Sequence, residues 1–313
     1  EHALVAEDLL RLADVAMYVA KESRAGVVTY SSHRDRNSTD RLTLLAELRQ
    51  ALDCDALTLQ YQPKVSLRDR SLLGVEALIR WQHPERGFVP PEEFLPLAER
   101  SGLMHLVTEG LVMRALAQIA DWRLLGLAMP VTVNVALSDL LDGRLADLVL
   151  TGLRRYGLPP EVLQLEIDER VVAQHSDELS GVLRDLHAMG LGLSLDDFGT
   201  GYSSLLWLET LPVAEIKIDR AFVSRVSEAH SSAGIVRAIT DLAHAMGMRA
   251  VAEGVETEAE WRVLRELGCD GAQGWHVAAP MPAVQATEWL LAHHGGAEPF
   301  RRGDVVARAE VAS

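Results

Sequence analysis

The chain has 313 residues, of which 48 % are hydrophobic and 24 % are charged, so it can bury a core and is not typical of a disordered protein. Lys and Arg total 30 against 45 Asp and Glu, and the net charge of −15 argues against a general nucleic-acid or anionic-membrane binder. The longest apolar stretch, 103–120, is broken by charged residues, so no segment is expected to span a bilayer.

The number of cysteines and the N-terminal sequence indicate the cellular compartment in which the protein is expected. Cys54 and Cys269 are too few for a disulfide framework or a thiolate zinc site, and they fit a reducing environment. We find no signal peptide and expect a cytoplasmic location, with any membrane anchor of the parent protein in regions absent here. Glu1 in place of an initiator Met indicates a fragment of a longer protein.

The chain is predicted to contain a short leader and one large domain. Residues 1–30 contain a helical pattern, 8–23, and a strand, 27–30, which is too little to fold alone. The polar segment 31–40 is interpreted as a linker, with Asp40 as the N-cap of the first helix of the main domain. The main domain is expected to cover 41–295, followed by a flexible tail, 296–313.

Eight strand-like runs follow, namely 56–62, 72–81, 131–135, 162–167, 191–195, 214–218, 249–252 and 270–273. Amphipathic helical patterns lie between most of them, for example 109–122, 177–189, 233–246 and 258–267. This alternation predicts an α/β fold with a mainly parallel sheet, and eight units close a TIM-like (β/α)8 barrel. An open doubly wound sheet is the alternative, weakened because the chain has neither G-x-G-x-x-G after the first strand nor a Walker A sequence.

Polar residues stand at or beside the ends of these strands, where barrel enzymes place their catalytic groups. They are Gln62, Glu76, Asn134, Glu166, Asp196, Asp197, Lys217, Glu253 and Gln273. Any one of them could be an ordinary turn or surface residue, as Asn134 or Lys217 would be alone. Carboxylates on four strands together indicate a functional site.

Converging carboxylates raise one another's pKa unless a cation neutralises them. The candidate ligands are all oxygen donors, which favours Mg2+ or Mn2+ over zinc or copper. The adjacent pair Asp196 and Asp197 makes a second ion plausible, and two such ions serve phosphoester hydrolysis. Lys217 could then orient or deprotonate the attacking water, because burial beside cations depresses the pKa of an ammonium group.

Two further features lie beside strand ends. The run 197–204 places two glycines around Thr200 directly after the carboxylate pair, which predicts a mobile loop able to approach phosphate, although an ordinary βα turn has the same composition. His83, just past the second strand, is interpreted as ordering a turn beside Pro84 rather than binding a ligand.

Several ordered motifs carry a family resemblance: Glu76-Ala-Leu78 within 74–81, Tyr61-Gln-Pro63, Val133-Asn134, 165–167 with Glu169, 196–201, 216–220, 252–256 and Gln273-Gly274. With them, residues from about 40 to 294 resemble an EAL-domain cyclic di-GMP phosphodiesterase. Members of that family adopt a barrel whose first strand runs antiparallel to the others.

The resemblance implies roles for individual residues. Glu76, Asn134, Glu166 and Asp196 would bind a first metal, and Asp196, Asp197 and Glu253 a second. Lys217 would activate water, and Gln62, Arg80, Asp219 and Gln273 would contact the substrate or close the site. Glu169 would anchor the loop 199–204, and Glu256 would support the site. The resemblance also implies cyclic di-GMP as ligand and a homodimer.

Departures from the family pattern leave every proposed ligand in place. Asp168 stands where Thr is usual and Arg170 where Ser or Thr is common, Ala136 replaces a small hydroxyl residue, and no basic residue precedes Pro280. Residues 8–30 resemble the last helix and strand of a GGDEF diguanylate cyclase domain, whose signature is absent. The leading hypothesis is hydrolysis of cyclic di-GMP to pGpG; the alternative is a catalytically silent receptor for the same ligand.

Overall fold

The computed structural model describes residues 32–54, 56–172, 177–201 and 208–293. The leader 1–30 and the tail 296–313, both interpreted from sequence, lie outside the described residues. The described part of the chain forms two compact units. One contains 32–54, 56 and 81–103, and the other contains 57–80, 104–172, 177–201 and 208–293.

The strands, in chain order, are β1 (Leu57–Ser66), β2 (Leu72–His83), β3 (Gly87–Val89), β4 (Val131–Asn134), β5 (Leu163–Asp168), β6 (Gly192–Phe198), β7 (Glu215–Ile218), β8 (Arg249–Ala252), β9 (Gly271–Ala272) and β10 (Met281–Pro282). The helices are α1 (Ser32–Asp53), α2 (Pro91–Arg100), α3 (Met104–Leu124), α4 (Leu137–Leu141), α5 (Leu145–Tyr156), α6 (Glu169–Val172), α7 (Asp177–Ala188), α8 (Arg220–Val223), α9 (His230–Ala245), α10 (Glu258–Glu266) and α11 (Ala283–Ala292). A 3-10 turn, Pro160–Val162, precedes β5.

The sheet closes on itself. Its hydrogen-bonded order runs β1-β9-β8-β7-β6-β5-β4-β2, and β1 also pairs with β2. The neighbours from β2 and β4 through β8 and β9 are parallel, whereas β1 is antiparallel to β9. The closed eight-stranded barrel is therefore confirmed, with the antiparallel first strand, and the open doubly wound alternative is wrong. The short strands β3 and β10 add to β2 and β1 and are absent from the sequence predictions.

The first helix begins earlier than the sequence predicts. Helix α1 begins at Ser32, so Asp40 is not its N-cap, and the segment interpreted as a linker, 31–40, is helical from Ser32. Leu44 and Leu48 are buried and anchor the helix. Once such a segment is helical, each added residue gains a hydrogen bond without a new nucleation step, so a polar segment can continue the helix.

The turn after β2 confirms the interpretation of His83. Its Nδ1 accepts hydrogen bonds from the backbone N–H groups of Glu85 and Arg86, each at 3.1 Å.

Within the described ranges, no helix is both long enough and apolar enough to cross a membrane.

A buried ion-pair cluster occupies the amino ends of the parallel strands. Glu215, the first residue of β7, accepts from Lys64 Nζ at 2.7 Å and from Arg249 Nε at 2.9 Å. Lys64 also donates to Thr132 Oγ1 at 2.9 Å. Burial alone would raise the pKa of Glu215, but Lys64 and Arg249 outweigh it and lower that pKa to about 2. The cluster is therefore a charged core of the barrel floor.

We expect Glu215→Gln to lower the free energy of unfolding at pH 7 by about 3–5 kcal/mol, because it leaves Lys64 and Arg249 buried without their counter-charge. Urea unfolding measures the change. Because the folded pKa of Glu215 lies below its unfolded value, its contribution is present above the unfolded pKa and is lost as pH falls toward about 2. The gap between wild type and variant should therefore narrow between about pH 5 and pH 2.

Glu258→Gln is the matched control, since the Glu258 side chain is 45 % exposed in its pair with Arg262. The loss of stability in Glu258→Gln should be much smaller than that in Glu215→Gln, because solvent screens exposed ion pairs. Equal losses in the two variants, or a Glu215→Gln gap that does not change with pH, would contradict a charged floor.

Candidate active site

The carboxyl ends of the parallel strands gather the predicted polar residues in one place. Asn134 ends β4 and lies in register with Glu166 of β5, and Asp168 lies in register with Asp196 of β6. Lys217 comes from β7, and Glu253 and Gln273 directly follow β8 and β9. Barrel closure, rather than proximity in sequence, therefore brings these groups together.

Lys217 lies at the centre of the cluster. Its side chain is 1 % exposed, and its Nζ contacts carboxylates from four strands or strand ends. The distances are 3.1 Å to Glu76, 2.5 Å to Glu166 and 3.2 Å to Asp196, and the fourth ion pair is with Glu253. One ammonium group thus faces four acidic side chains.

This crowding sets the protonation of the cluster. Burial alone lowers the pKa of Lys217, but the carboxylates, Glu166 first, more than offset it and raise that pKa well above its ordinary value. The depressed pKa that we predict for Lys217 depends on bound cations; without them the surrounding carboxylates set the direction of the shift. Burial and neighbouring carboxylates raise the pKa of Glu166 and of Glu253 well above the usual range.

Two amide side chains donate hydrogen bonds to the carboxylate of Glu76. Asn134 Nδ2 donates to Glu76 Oε1 at 2.9 Å, and Gln273 Nε2 donates to Glu76 Oε2 at 2.7 Å. Gln273 Nε2 also donates to Gln62 Oε1 at 3.1 Å, while Gln62 donates to the carbonyl of Ala278 at 3.0 Å. Gln273 Oε1 is buried and accepts no hydrogen bond from the described residues, so it is an acceptor available to a ligand.

The adjacent pair at the end of β6 is strained and acidic. Asp197 adopts φ 53°, an uncommon conformation for a residue other than glycine, and its N–H donates to Asp196 Oδ1 at 3.0 Å. Burial, then Asp196 and Asp219, raise the pKa of Asp197 to about 7. Asp219 therefore faces this pair, and it also caps α8 by accepting from the N–H of Ala221 at 2.7 Å.

Glu169 holds the glycine-containing segment after β6. Its side chain is buried, and its Oε2 accepts from the N–H of Gly199 at 2.9 Å and from that of Gly201 at 3.0 Å. The space beside Gly201 is filled by the Glu169 carboxylate, which lies 3.1 Å from where a Cβ would stand. This geometry supports the anchoring role of Glu169 for 199–201; residues 202–204 of the predicted loop lie outside the described residues.

An open cleft of about 610 Å³ leads to the cluster. Residues that line it are Gln62, Glu76, Leu78, Asp196, Lys217, Arg220, Glu253, Gly254, Glu256, Gln273, Gly274 and Trp275. Glu256 accepts from Arg220 at 2.5 Å, which fits a supporting role. Arg80, predicted to contact substrate, instead donates to Gln60 Oε1 at 2.9 Å and is not among these lining residues.

The sequence analysis assigned no role to five of the lining residues, namely Leu78, Arg220, Gly254, Gly274 and Trp275. Each stands within or beside a quoted motif, and Arg220 and Trp275 follow strand ends by two or three positions. A systematic reading of every residue after a strand end, rather than of polar residues alone, could have identified the latter two.

Asp168 and Arg170, the two residues that depart from the family pattern here, form hydrogen bonds and an ion pair with each other. Arg170 donates from its backbone N–H at 2.7 Å and from Nε at 2.9 Å to Asp168 Oδ1, and its second guanidinium nitrogen bonds Asp168 Oδ2. The guanidinium therefore offsets the additional carboxylate that Asp168 places beside Asp196 and Asp197. Neither departure displaces a predicted ligand.

The donor set fits divalent metal. Carboxylate oxygens of Glu76, Glu166 and Glu253 lie within 4.8 Å of one another, and so do those of Asp196, Asp197 and Glu253. The two groups share Glu253. Burial first, and neighbouring carboxylates after it, raise the pKa values of Glu166, Asp197 and Glu253, so a cation bound here would stabilise their ionised forms. All-oxygen ligands at one barrel mouth can therefore hold a metal ion.

Comparison with known proteins gives a consistent result. The family model described as the EAL domain matches residues 45–280. The bifunctional diguanylate cyclase/cyclic di-GMP phosphodiesterase MucR of Pseudomonas aeruginosa is 42 % identical over 280 residues, which cover 89 % of this chain and 41 % of that protein. A cyclic di-GMP phosphodiesterase of the same organism is 35 % identical over 285 residues, covering 91 % and 49 %.

A solved structure of a MucR phosphodiesterase in complex with cyclic di-GMP has the same fold. It aligns with a TM-score of 0.75 at 43 % identity and covers 78 % of this chain and 99 % of that one. The chain spans less than half the length of the two curated relatives described above.

We expect Glu169→Ala to speed hydrogen exchange at the amides of Gly199 and Gly201 by about 5- to 150-fold, because both N–H groups lose a buried acceptor. Hydrogen-exchange mass spectrometry of peptides covering 196–201 measures this. Glu169→Gln is the matched control, since its carbonyl oxygen can still accept from both groups. Equal protection in the alanine variant and wild type would show that Glu169 does not anchor this segment.

Proposed function

The chain belongs to the EAL domain family, and we propose that it is a metal-dependent phosphodiesterase that hydrolyses cyclic di-GMP to linear pGpG. The observation that carries the proposal is the ring of Glu76, Glu166, Asp196 and Glu253 around Lys217 in an open cleft. Two relatives whose names include cyclic di-GMP phosphodiesterase support the substrate.

Two oxygen-rich groups would hold two Mg2+ or Mn2+ ions. Glu76, Asn134, Glu166 and Asp196 would hold one, and Asp196, Asp197 and Glu253 the other. Hard carboxylate and amide oxygens favour these metals over zinc or copper. Bound metal would supply Lewis acidity toward the phosphoryl oxygens and a more acidic water.

The chain's own residues position the reactants. Gln273, whose Oε1 is unpartnered among the described residues, and Gln62 beside it would contact the substrate at the cleft wall. Asp219 would contact the substrate beside the Asp196–Asp197 pair. Arg80, whose Nε donates to Gln60 and which is not among the residues lining the cleft, would also contact the substrate.

Lys217 would orient the attacking water. Without bound metal, its carboxylate partners raise its pKa and keep it an ammonium that donates hydrogen bonds. Its deprotonating role would require those carboxylates to be neutralised by other cations. Orientation by a donated hydrogen bond needs no such change and is the role that the geometry supports better.

We also propose two features of the larger protein. Residues 1–30 would be the end of a GGDEF domain in a tandem parent protein, and the chain would act as a homodimer. Light scattering of the purified chain tests the second point, and the sequence of the parent gene tests the first.

We expect pGpG formation with Mg2+ or Mn2+, none in EDTA, and little with Ca2+. Ca2+ has longer and more flexible coordination, so it would occupy the carboxylates yet misplace water and phosphate. Chromatographic separation of cyclic di-GMP from pGpG measures turnover. Equal rates with Ca2+ and Mg2+ would contradict the two-metal site, and binding without turnover with both Mg2+ and Mn2+ would favour the receptor alternative.

We expect Lys217→Ala to lower turnover in saturating Mg2+ by about 10²–10⁴-fold, the usual loss for a group that assists proton transfer. Affinity for cyclic di-GMP, measured by calorimetry in Ca2+, should change much less, because the metal ligands remain. Arg262→Ala, on the exposed face of α10, is the control and should match wild type. A loss of affinity in proportion to rate, or full turnover, would show that Lys217 does not act on the water.

A further inference from the structure

One large aromatic ring on the cleft has no part in the proposed chemistry. Trp275 lines the cleft and is 67 % exposed, and it is the only exposed tryptophan in the described part of the chain. Trp81, Trp122 and Trp261, by contrast, are each at most 2 % exposed. Exposed apolar residues are common, but this ring lies in the lining of the cleft, and aromatic side chains are typical of ligand-binding pockets.

The backbone that carries this ring is tightly held. A Cβ at Gly274 would lie 2.2 Å from the carbonyl oxygen of Val255, so the chain passes Val255 where only glycine fits. The N–H of Val255 donates to Gln273 O at 3.1 Å, and the N–H of His276 donates to Val255 O at 2.9 Å. Trp275 is therefore an exposed ring on a fixed support, which limits the entropy lost when a ligand covers it.

Two kinds of residue line the cleft, and we call them its polar zone and its apolar zone. The cluster around Lys217 is polar and acidic and suits phosphate with its metal ions. Leu78 and Trp275 are the large apolar side chains of the cleft lining, and the guanidinium of Arg220, which also lines the cleft, is paired with Glu256. A ligand that fits both zones carries a phosphodiester and a flat, apolar-faced ring.

We propose that Trp275 is the platform on which one guanine base of the substrate stacks. The assignment rests on the proposed function, since cyclic di-GMP presents two such bases beside its phosphates. Stacking of a nucleobase on an aromatic side chain changes affinity by about 5- to 150-fold and does not depend on hydrogen-bond readout of the base. Trp275 is thus a substrate-binding residue.

The experiment compares Trp275→Ala and Trp275→Phe with wild type, with Leu124→Ala as a control for an exposed apolar residue, 86 % exposed and not among those lining the cleft. Calorimetry with cyclic di-GMP in Ca2+ should show an affinity loss of about 5- to 150-fold for Trp275→Ala. Trp275→Phe should stay within about threefold of wild type and Leu124→Ala should match it. In Mg2+, the loss for Trp275→Ala should appear in KM more than in kcat.

Intrinsic fluorescence gives a second readout. Stacking should quench indole emission when cyclic di-GMP binds to wild type, and this quenching should disappear in Trp275→Phe although calorimetry still detects binding. Thermal melting checks that each variant is folded. Wild-type affinity in Trp275→Ala, or a loss in Trp275→Phe equal to that in Trp275→Ala, would overturn the stacking role while leaving the proposed function standing. A wild-type chain that neither binds nor hydrolyses cyclic di-GMP would overturn the proposed function itself.

Discussion

Acidic side chains that converge in a small buried space need positive charge, and this requirement organises the barrel mouth. Lys217 meets part of it with four carboxylate contacts. Burial, together with neighbouring carboxylates, raises the pKa values of Glu166, Asp197 and Glu253, so their ionised forms are costly beside a single ammonium. A divalent cation would lower that cost, so the electrostatic strain of the arrangement and its proposed chemistry have one origin.

The barrel separates this reactive charge from structural charge. At the amino ends of the strands, Glu215 is balanced by Lys64 and Arg249, and its pKa is lowered to about 2. At the carboxyl ends, the neutral amides of Asn134 and Gln273 hold the Glu76 carboxylate in place by donating hydrogen bonds to it. Both clusters are held on strands that hydrogen bond around a closed ring, which restricts how far either can relax. The charges at the amino ends of the strands are thus balanced within the protein, whereas the carboxylates at the carboxyl ends would be balanced fully only with bound metal.

Hydrophobic alternation and strand-end polarity were sufficient to predict the eight strands and the residues that converge on Lys217, because parallel strands in a closed barrel end at one face. The antiparallel β1 came only from resemblance, since alternation is the same in either direction. The sign of the Lys217 pKa shift could not be predicted, because it depends on which charges lie within about 3 Å. The role of Lys64 was not predicted because the predicted first strand ends at Gln62, whereas β1 continues to Ser66. The helical start at Ser32 was not predicted because polar residues can extend a helix that is anchored by buried residues further along the chain.

The central claim is that the cluster is stable only with a counter-charge, supplied by Lys217 or by metal. Thermal melting of wild type and Lys217→Ala, each in EDTA and in saturating Mn2+, tests it directly. The account predicts that Lys217→Ala melts well below wild type in EDTA and gains more than wild type from Mn2+, because metal replaces the missing charge. Equal Mn2+ shifts in the two proteins, or no shift in either, would contradict it.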